Sequence, residues 1–388
     1  MTDQSPSVPG SRNPPATGSA RRLVSPDLAR GIMLLFICGA NALTSWSAPE
    51  NGAAMARSGV HGDGALNRAA VIFADLFLHV RGLPMFALLL GYGIGMIAMS
   101  LWRRGYPPAR ARRVLARRYA LLALFGALHM VFLFHGDIMY AYGALGVVVA
   151  LFLTLGNRTL LSVAAVLFVL NVALAVVVQA WVADGAADNA AKAPGGIFSA
   201  SYSPENYGAT ILHGLVFLFS NTLSMALLAA SVLPVVLLGF VAARLRVLSQ
   251  VERYRTLLAW WCLPGLLVIL LVGLPWALAD VGILDPQLAP ALASLNDGLG
   301  WLVGPSAVAA IALATEKLQR KVDRAREQGG TGDEALPKAL VAVVALGRRS
   351  MSGYVGQSVI LLILTMPYTL DLAAGRGAAF MLALALGT

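Results

Sequence analysis

Charge is scarce in this sequence. Asp, Glu, Lys and Arg make up 12% of its 388 residues, against roughly 25% in ordinary globular domains. With 58% hydrophobic residues and a mean hydropathy of +0.73, that scarcity excludes a soluble fold. Cysteine is scarcer still: Cys38 and Cys262 each lie inside an apolar run, so neither a disulfide framework nor a thiolate metal cluster can form, and no metal site is expected. Acidic residues are the minority charge, 19 against 29 basic ones, for a net charge of +10. Because the basic residues cluster between apolar runs, they read as a membrane topology signal and not as a nucleic-acid surface. Signature motifs are also missing: no Walker A loop, no dinucleotide fingerprint after a strand, no His-Glu-x-x-His and no Gly-x-Ser-x-Gly elbow. No internal repeat suggests the inverted halves of a secondary transporter.

What the sequence does contain is a series of runs of about 20 apolar residues, each long enough to cross roughly 30 Å of hydrocarbon. Residues 160–179 are apolar on every face, whereas barrel strands alternate. The expected architecture is an all-α polytopic transmembrane helix bundle of about ten spans, at 27–47, 69–101, 119–135, 138–156, 159–183, 224–243, 256–280, 297–315, 350–369 and 373–388. Residues 1–20, rich in Ser, Pro and Gly, form a disordered cytosolic tail. A signal peptide cleaved near Ala48 is the other reading of the first run, but a retained helix fits better because the motifs below begin inside it. Residues 21–183 make an N-terminal five-span half, 184–207 an external loop, and 208–388 a C-terminal half. Segments 208–222 and 335–346 are too short or too polar to cross and suit interfacial or re-entrant helices, and 316–338 is a charged cytosolic connector that starts as an amphipathic helix. With the N-terminus in the cytosol, the inner segments hold 24 basic residues and the outer ones 4, which strongly supports this orientation.

Ionisable groups inside apolar spans are expensive, so each is a functional candidate. In Ser25-Pro26-Asp27-Leu28-Ala29-Arg30-Gly31, Ser25 can cap the first helix and Asp27 lies within i,i+3 reach of Arg30. Asn41 follows Arg30 by eleven residues, about 16 Å deeper at 1.5 Å per residue. The second span carries Asp75 and His79 on one helix face, then Arg81. Pro84 is expected to kink the helix there and free backbone groups that Arg81 helps satisfy. The glycines of Gly91-Tyr92-Gly93-Ile94-Gly95 suit close helix packing better than phosphate binding. The densest constellation is His129, Asp137 and Tyr142. Two antiparallel spans joined near Gly136 must be neighbours, so these three can face one cavity, with Asp137 orienting the imidazole. Near the C-terminus, Gly347-Arg348-Arg349-Ser350-Met351-Ser352-Gly353-Tyr354 precedes Gln357. Arg349 lies at the inner face, where basic residues follow from topology or bind an anionic group. Gln357 shares the depth of Asn41 and His129.

Together these motifs resemble the YeiB-like bacterial membrane proteins, domain of unknown function 418, over about residues 21–370. That family is distantly similar to membrane-embedded acyltransferases. The resemblance implies a multi-pass protein of the bacterial inner membrane with no tightly bound cofactor. It further implies transfer of an acyl group from coenzyme A, as cosubstrate, to a sugar, lipid or small-molecule acceptor. Two features depart from the pattern. Sugar O-acyltransferases carry a catalytic His ten residues after the Gly of the first-helix Arg-Gly pair, and here that place is Asn41, whose amide is no general base. The base then comes from elsewhere, His129 first and His79 second. The pattern also leads one to expect a basic, aromatic tail, and the sequence ends at Thr388 without it.

Three functions fit these residues. The first is an acyltransferase in which His129, oriented by Asp137, deprotonates the acceptor while Asp27, Arg30, Asn41, Arg81, Tyr142, Arg349 and Gln357 line the substrate path. The second is a proton-coupled transporter using His79, His129 and Asp137 as a relay. The third is a non-enzymatic structural membrane protein whose polar residues hold helices together. The bilayer is the one partner common to all three. For the topology, cysteines introduced at 103–118 and 316–338 should be shielded from an impermeant thiol reagent in intact cells while those at 184–207 react. The opposite labelling pattern would reverse the orientation.

Overall fold

A computed structural model describes residues 22–47, 58–192 and 204–388. The expected N-terminal tail and residues 193–203 of the expected external loop lie outside the described residues. Those described form sixteen α-helices and no strand, as an all-α bundle requires.

The first helix, α1, spans Val24–Thr44. Ser25 does not cap it: the helix begins one residue earlier, and the Val24 N–H, which has no partner within the helix, donates to Gln319 Oε1 at 2.7 Å. The long second span is broken into α2 (Ala65–Phe77) and α3 (Gly82–Arg103). Its break falls at 78–81 and not at Pro84. Val80 adopts φ 54°, a left-handed conformation unusual for a β-branched residue, while Pro84 sits in the first turn of α3, where a missing N–H disturbs no helical hydrogen bond.

Helices α4 (Pro108–Phe132) and α5 (Met139–Leu151) form an antiparallel hairpin, and α6 runs over Asn157–Lys192, so residues 184–192 are helical where a loop was expected. Next come α7 (Tyr207–Ser220) and α8 (Thr222–Arg244). A π-helical turn at Ile269–Gly273 joins α9 (Arg255–Val268) to α10 (Leu274–Asp280). Helices α11 (Ala289–Leu299) and α12 (Val303–Ala314) continue one another through a short 3-10 turn. The expected amphipathic connector is α13 (Glu316–Glu327), followed by α14 (Lys338–Arg348), α15 (Ser350–Thr365) and α16 (Ala378–Gly387).

Seven helical stretches among the described residues are long and apolar enough to cross a membrane: Val24–Thr44, Ala65–Arg103, Pro108–Phe132, Asn157–Val177, Met225–Arg244, Arg255–Asp280 and Pro286–Ala314. The chain is a multi-pass membrane protein. The three remaining expected spans correspond to α5, α15 and α16. At 1.5 Å per residue these reach about 20, 24 and 15 Å, short of the roughly 30 Å hydrocarbon core.

Small residues set how closely the helices approach. A Cβ at Gly91 would strike the Val236 carbonyl, and one at Gly239 would strike the Leu88 carbonyl, so α3 and α8 pack backbone to backbone. Gly31 faces the Val343 carbonyl and Gly347 the Asp27 carbonyl, which presses α14 onto α1. One end of the bundle gathers basic residues: Arg112 donates to Thr154 Oγ1 (2.6 Å), and Arg244 caps the end of α5 through the Leu153 and Leu155 carbonyls. There too Arg255 meets Glu316 at 3.0 Å. At the opposite end Ala378 N–H donates to the His61 carbonyl (2.6 Å) and Tyr207 donates to the Phe132 carbonyl (2.9 Å).

Because both glycines of the α3–α8 contact face backbone, Gly239→Ala should destabilise the protein by about 1–3 kcal/mol, the usual cost of overpacking. Gly93, whose Cβ would meet nothing nearer than Arg30 Nη2 at 3.9 Å, should accept Ala without loss. Thermal melts of the two purified variants in detergent provide the comparison.

Candidate functional site

The α4–α5 hairpin builds the most organised polar site. Gly126 faces the backbone of Met139 and Tyr140, Gly143 faces Ala123, and Gly146 faces the Tyr119 ring, each too close for a side chain. This approach folds the connection at 133–138 back over the end of α4. Asp137 Oδ2 then lies 2.8 Å from His129 Nδ1, with both side chains essentially inaccessible. The carboxylate is fixed in turn because Tyr140 N–H donates to Asp137 Oδ1 at 2.9 Å, a local bond that helps start α5. A carboxylate at Nδ1 selects the tautomer with its proton there and leaves Nε2 as a lone-pair acceptor. His129 Nε2 is buried and has no hydrogen-bond partner among the described residues.

Against that imidazole lies Tyr354 of α15, with ring centroids 5.2 Å apart at 33°. Tyr354 and Ile138 also line an apolar crevice between α1, α4, α5 and α15, whose walls include Met33, Leu34, Ile37 and Leu122. Tyr142, expected to face the same cavity, points its hydroxyl elsewhere: it donates to the Leu83 carbonyl at 3.0 Å, and its ring packs on Phe86. Gln357 is buried on α15 and Asn41 half-buried on α1. No hydrogen bond or ion pair among the described residues joins either of them to His129.

At the basic end, Asp27 is the hub of a charge cluster. Arg22 Nε donates to Asp27 Oδ2 at 2.7 Å, Arg30 lies 3.6 Å from Oδ1, and Arg348 Nε lies 3.6 Å from Oδ2. Arg348 also forks onto Asp333 with two bonds of 2.6 Å. That forked contact holds the Asp333 carboxyl below the ordinary carboxylate range and raises the Arg348 guanidinium. Arg349 is exposed. The sequence pattern singles out Arg349, but the Gly347 contact with α1 brings its neighbour Arg348 to Asp27.

The third group surrounds the α2–α3 break. Arg81, 2% exposed, donates to the carbonyls of Leu76 (3.0 Å), Val80 (3.4 Å) and Asp75 (3.4 Å), and to Asn296 Oδ1 (2.7 Å). It satisfies the backbone groups that the break frees, as expected from the sequence. Asn296 escapes sequence reasoning because it precedes the expected span, although an Asn in a helix of small apolar residues is itself a signal. His79 Nε2 is 4.0 Å from Asp75 Oδ1. Asp75 and His79 thus form a cluster separate from His129 and Asp137.

Residues 242–388 match the family model described as protein of unknown function (DUF418). That stretch carries Asn296, Arg348, Tyr354 and Gln357, while His129 and Asp137 precede it. No curated protein and no solved structure matches the chain.

The Asp333–Arg348 contact has a pH signature. A carboxyl whose folded-state pKa is depressed contributes stability that is full above its unfolded value, 3.8 for Asp, and that is lost as pH falls through the folded value. Wild type should therefore melt above Asp333→Asn at pH 6, by at most about 1 kcal/mol because the carboxyl is partly exposed. The difference should vanish in strongly acidic buffer. A gap independent of pH would assign the effect to packing.

Proposed function

We propose, for a chain whose residues 242–388 match the DUF418 family model, that the α4–α5 site performs acyl transfer from coenzyme A to a hydroxyl or amine of a sugar, lipid or small-molecule acceptor. The observation that supports this reading is the 2.8 Å contact between Asp137 and His129 Nδ1, with Nε2 buried and unpartnered. A general base needs that arrangement: a second group fixes the tautomer and orientation, and the basic nitrogen faces the proton to be removed.

In the proposed step, Nε2 of His129 takes the acceptor proton as the acceptor oxygen or nitrogen attacks the thioester carbonyl. The tetrahedral intermediate collapses with loss of the coenzyme A thiolate, which recovers the proton from the imidazolium. Asp137 stabilises the imidazolium in between. Tyr354, buried with its ring beside the imidazole, would donate its hydroxyl to the developing oxyanion. Arg30 stands one turn before Met33 and Leu34, two residues of the crevice wall, on α1, and the phosphates of coenzyme A would dock beside it. Three glycine contacts hold the hairpin, and such rigidity suits a preorganised catalytic site better than a relay that must alternate between two faces.

The test incubates purified protein in nanodiscs with radiolabelled acetyl-coenzyme A and membrane extract, and follows label in acceptor and in hydrolysed thioester. His129→Gln should keep a near wild-type melting temperature and lose 10²-fold or more in turnover, about the lower bound for general-base catalysis. Asp137→Asn should lose less. Full activity in His129→Gln, or no label transfer by wild type, would sink the reading.

A further inference from the structure

The cluster at the α2–α3 break is not used by that chemistry, and its unpartnered atoms call for a separate account. Asp75 is fully buried (0% exposed) in the last turn of α2, and neither carboxylate oxygen has a hydrogen-bond partner among the described residues. A helix C-terminus carries partial negative charge, so a carboxylate there is opposed by the dipole as well as by its apolar surroundings. The Nε2 of His79, 9% exposed, is likewise buried and unpartnered, as is Nδ2 of Asn296. Buried polar groups left unsatisfied are rare and mark a function or a missing occupant.

The chemistry of the site narrows that occupant. A metal cation would need several oxygen donors, but the carbonyls of Asp75, Leu76 and Val80 already accept from Arg81. An anion would need Arg81, whose guanidinium has only five N–H groups, and four of its hydrogen bonds are already made within the break. A proton fits: it neutralises Asp75, and a short path leads out from it. The ring of His79 lies against the Ser58 carbonyl and 5.8 Å from the Trp276 ring. Beyond it, Ser58 Oγ contacts His61 Nε2 at 2.8 Å and donates to Asp280 Oδ2, and His61 is 3.2 Å from Asp280 with a third of its side chain exposed. The charged groups around Asp75 are His79 and Arg81 on its own segment, His61 in the preceding loop, Asp280 on α10 and Asp297 on α11. The π-turn, α16 and α1, which also pack on α2, contribute none, the charged residues of α1 (Asp27 and Arg30) lying at its opposite, N-terminal end.

We propose that Asp75 is a proton-binding site, filled from the end of the bundle opposite the basic cluster through His79 and the Ser58–His61–Asp280 group, and that its occupancy locks the α2–α3 break. A proton released from the His61–Asp280 group is taken up at Nε2 of His79, the nitrogen not held by the Ser58 carbonyl, and passes from there to an Asp75 oxygen, closing the 4.0 Å gap by a side-chain rotation. With Asp75 neutral, Arg81 stays on the Leu76 and Val80 carbonyls and holds Val80 in its left-handed conformation. With Asp75 charged, the carboxylate competes for the guanidinium and releases the break.

The test uses full-length protein in nanodiscs. Infrared difference spectra between acidic and alkaline buffer should show a carboxylic-acid band that titrates in wild type and is lost in Asp75→Asn, with other buried carboxyls cancelling between the two. Hydrogen exchange of residues 76–82, corrected for intrinsic rates, should rise in wild type as that band disappears and stay flat in Asp75→Asn. Because Asn mimics the neutral acid in shape, this variant should melt at or above wild type. His61→Gln should retain the band but slow its response to a pH jump. An unchanged band in Asp75→Asn, exchange indifferent to pH, or a sharply lower melting temperature for Asp75→Asn would each overturn the proposal.

Discussion

In an apolar bundle, every backbone carbonyl and amide released by a break in a helix must find a partner within the chain, because hydrocarbon supplies none. This protein breaks its helices repeatedly and at three of the ends so exposed supplies a polar side chain. Arg81 takes the carbonyls at the end of α2, Arg244 those at the end of α5, and Asp137 an amide at the start of α5. Two of the buried polar residues singled out as candidates, Arg81 and Asp137, are positioned by that requirement. Function attaches to the atoms left over once it is met.

His129 and Asp75 illustrate the distinction. Asp137 has two oxygens, one accepting from the Tyr140 amide and the other facing His129 Nδ1, so a capping residue doubles as the orienting group of an imidazole. Asp75 lies beside an arginine that already makes four hydrogen bonds elsewhere, and its carboxyl gains none from it. One buried carboxyl is organised and the other is not, which is why they support different chemistry: a fixed base in the first case, an exchangeable proton in the second.

Glycine supplies the second constraint. The approaches of α4 to α5, α3 to α8 and α1 to α14 all place a glycine against backbone or ring atoms of the neighbour. In the first and the last, a polar contact depends on the close approach. The His129–Asp137 pair needs the hairpin closed, and the Arg348–Asp27 contact needs α14 seated on α1. A Cβ at these positions would separate the charged groups as well as the helices.

The all-α membrane class, the approximate positions of seven long spans and the pairing of His129 with Asp137 were legible in the sequence. Hydropathy is a sum over local residues, and a six-residue connection between antiparallel helices leaves its ends little choice of neighbour. Asp27 with Arg30 and the plugging role of Arg81 were legible for the same reason, since both depend on separations of a few residues along one chain segment. What only the tertiary structure decided were contacts between distant segments: Tyr354 in place of Tyr142 beside the imidazole, Arg348 on Asp27, Asn296 on Arg81, and Gln319 in place of Ser25 at the start of α1. The break at 78–81 belongs with these. Pro84 marks the neighbourhood by its missing N–H, but the exact turn that opens is set by where Arg81 and Asn296 can meet the freed carbonyls, and Asn296 is more than 200 residues away in the chain.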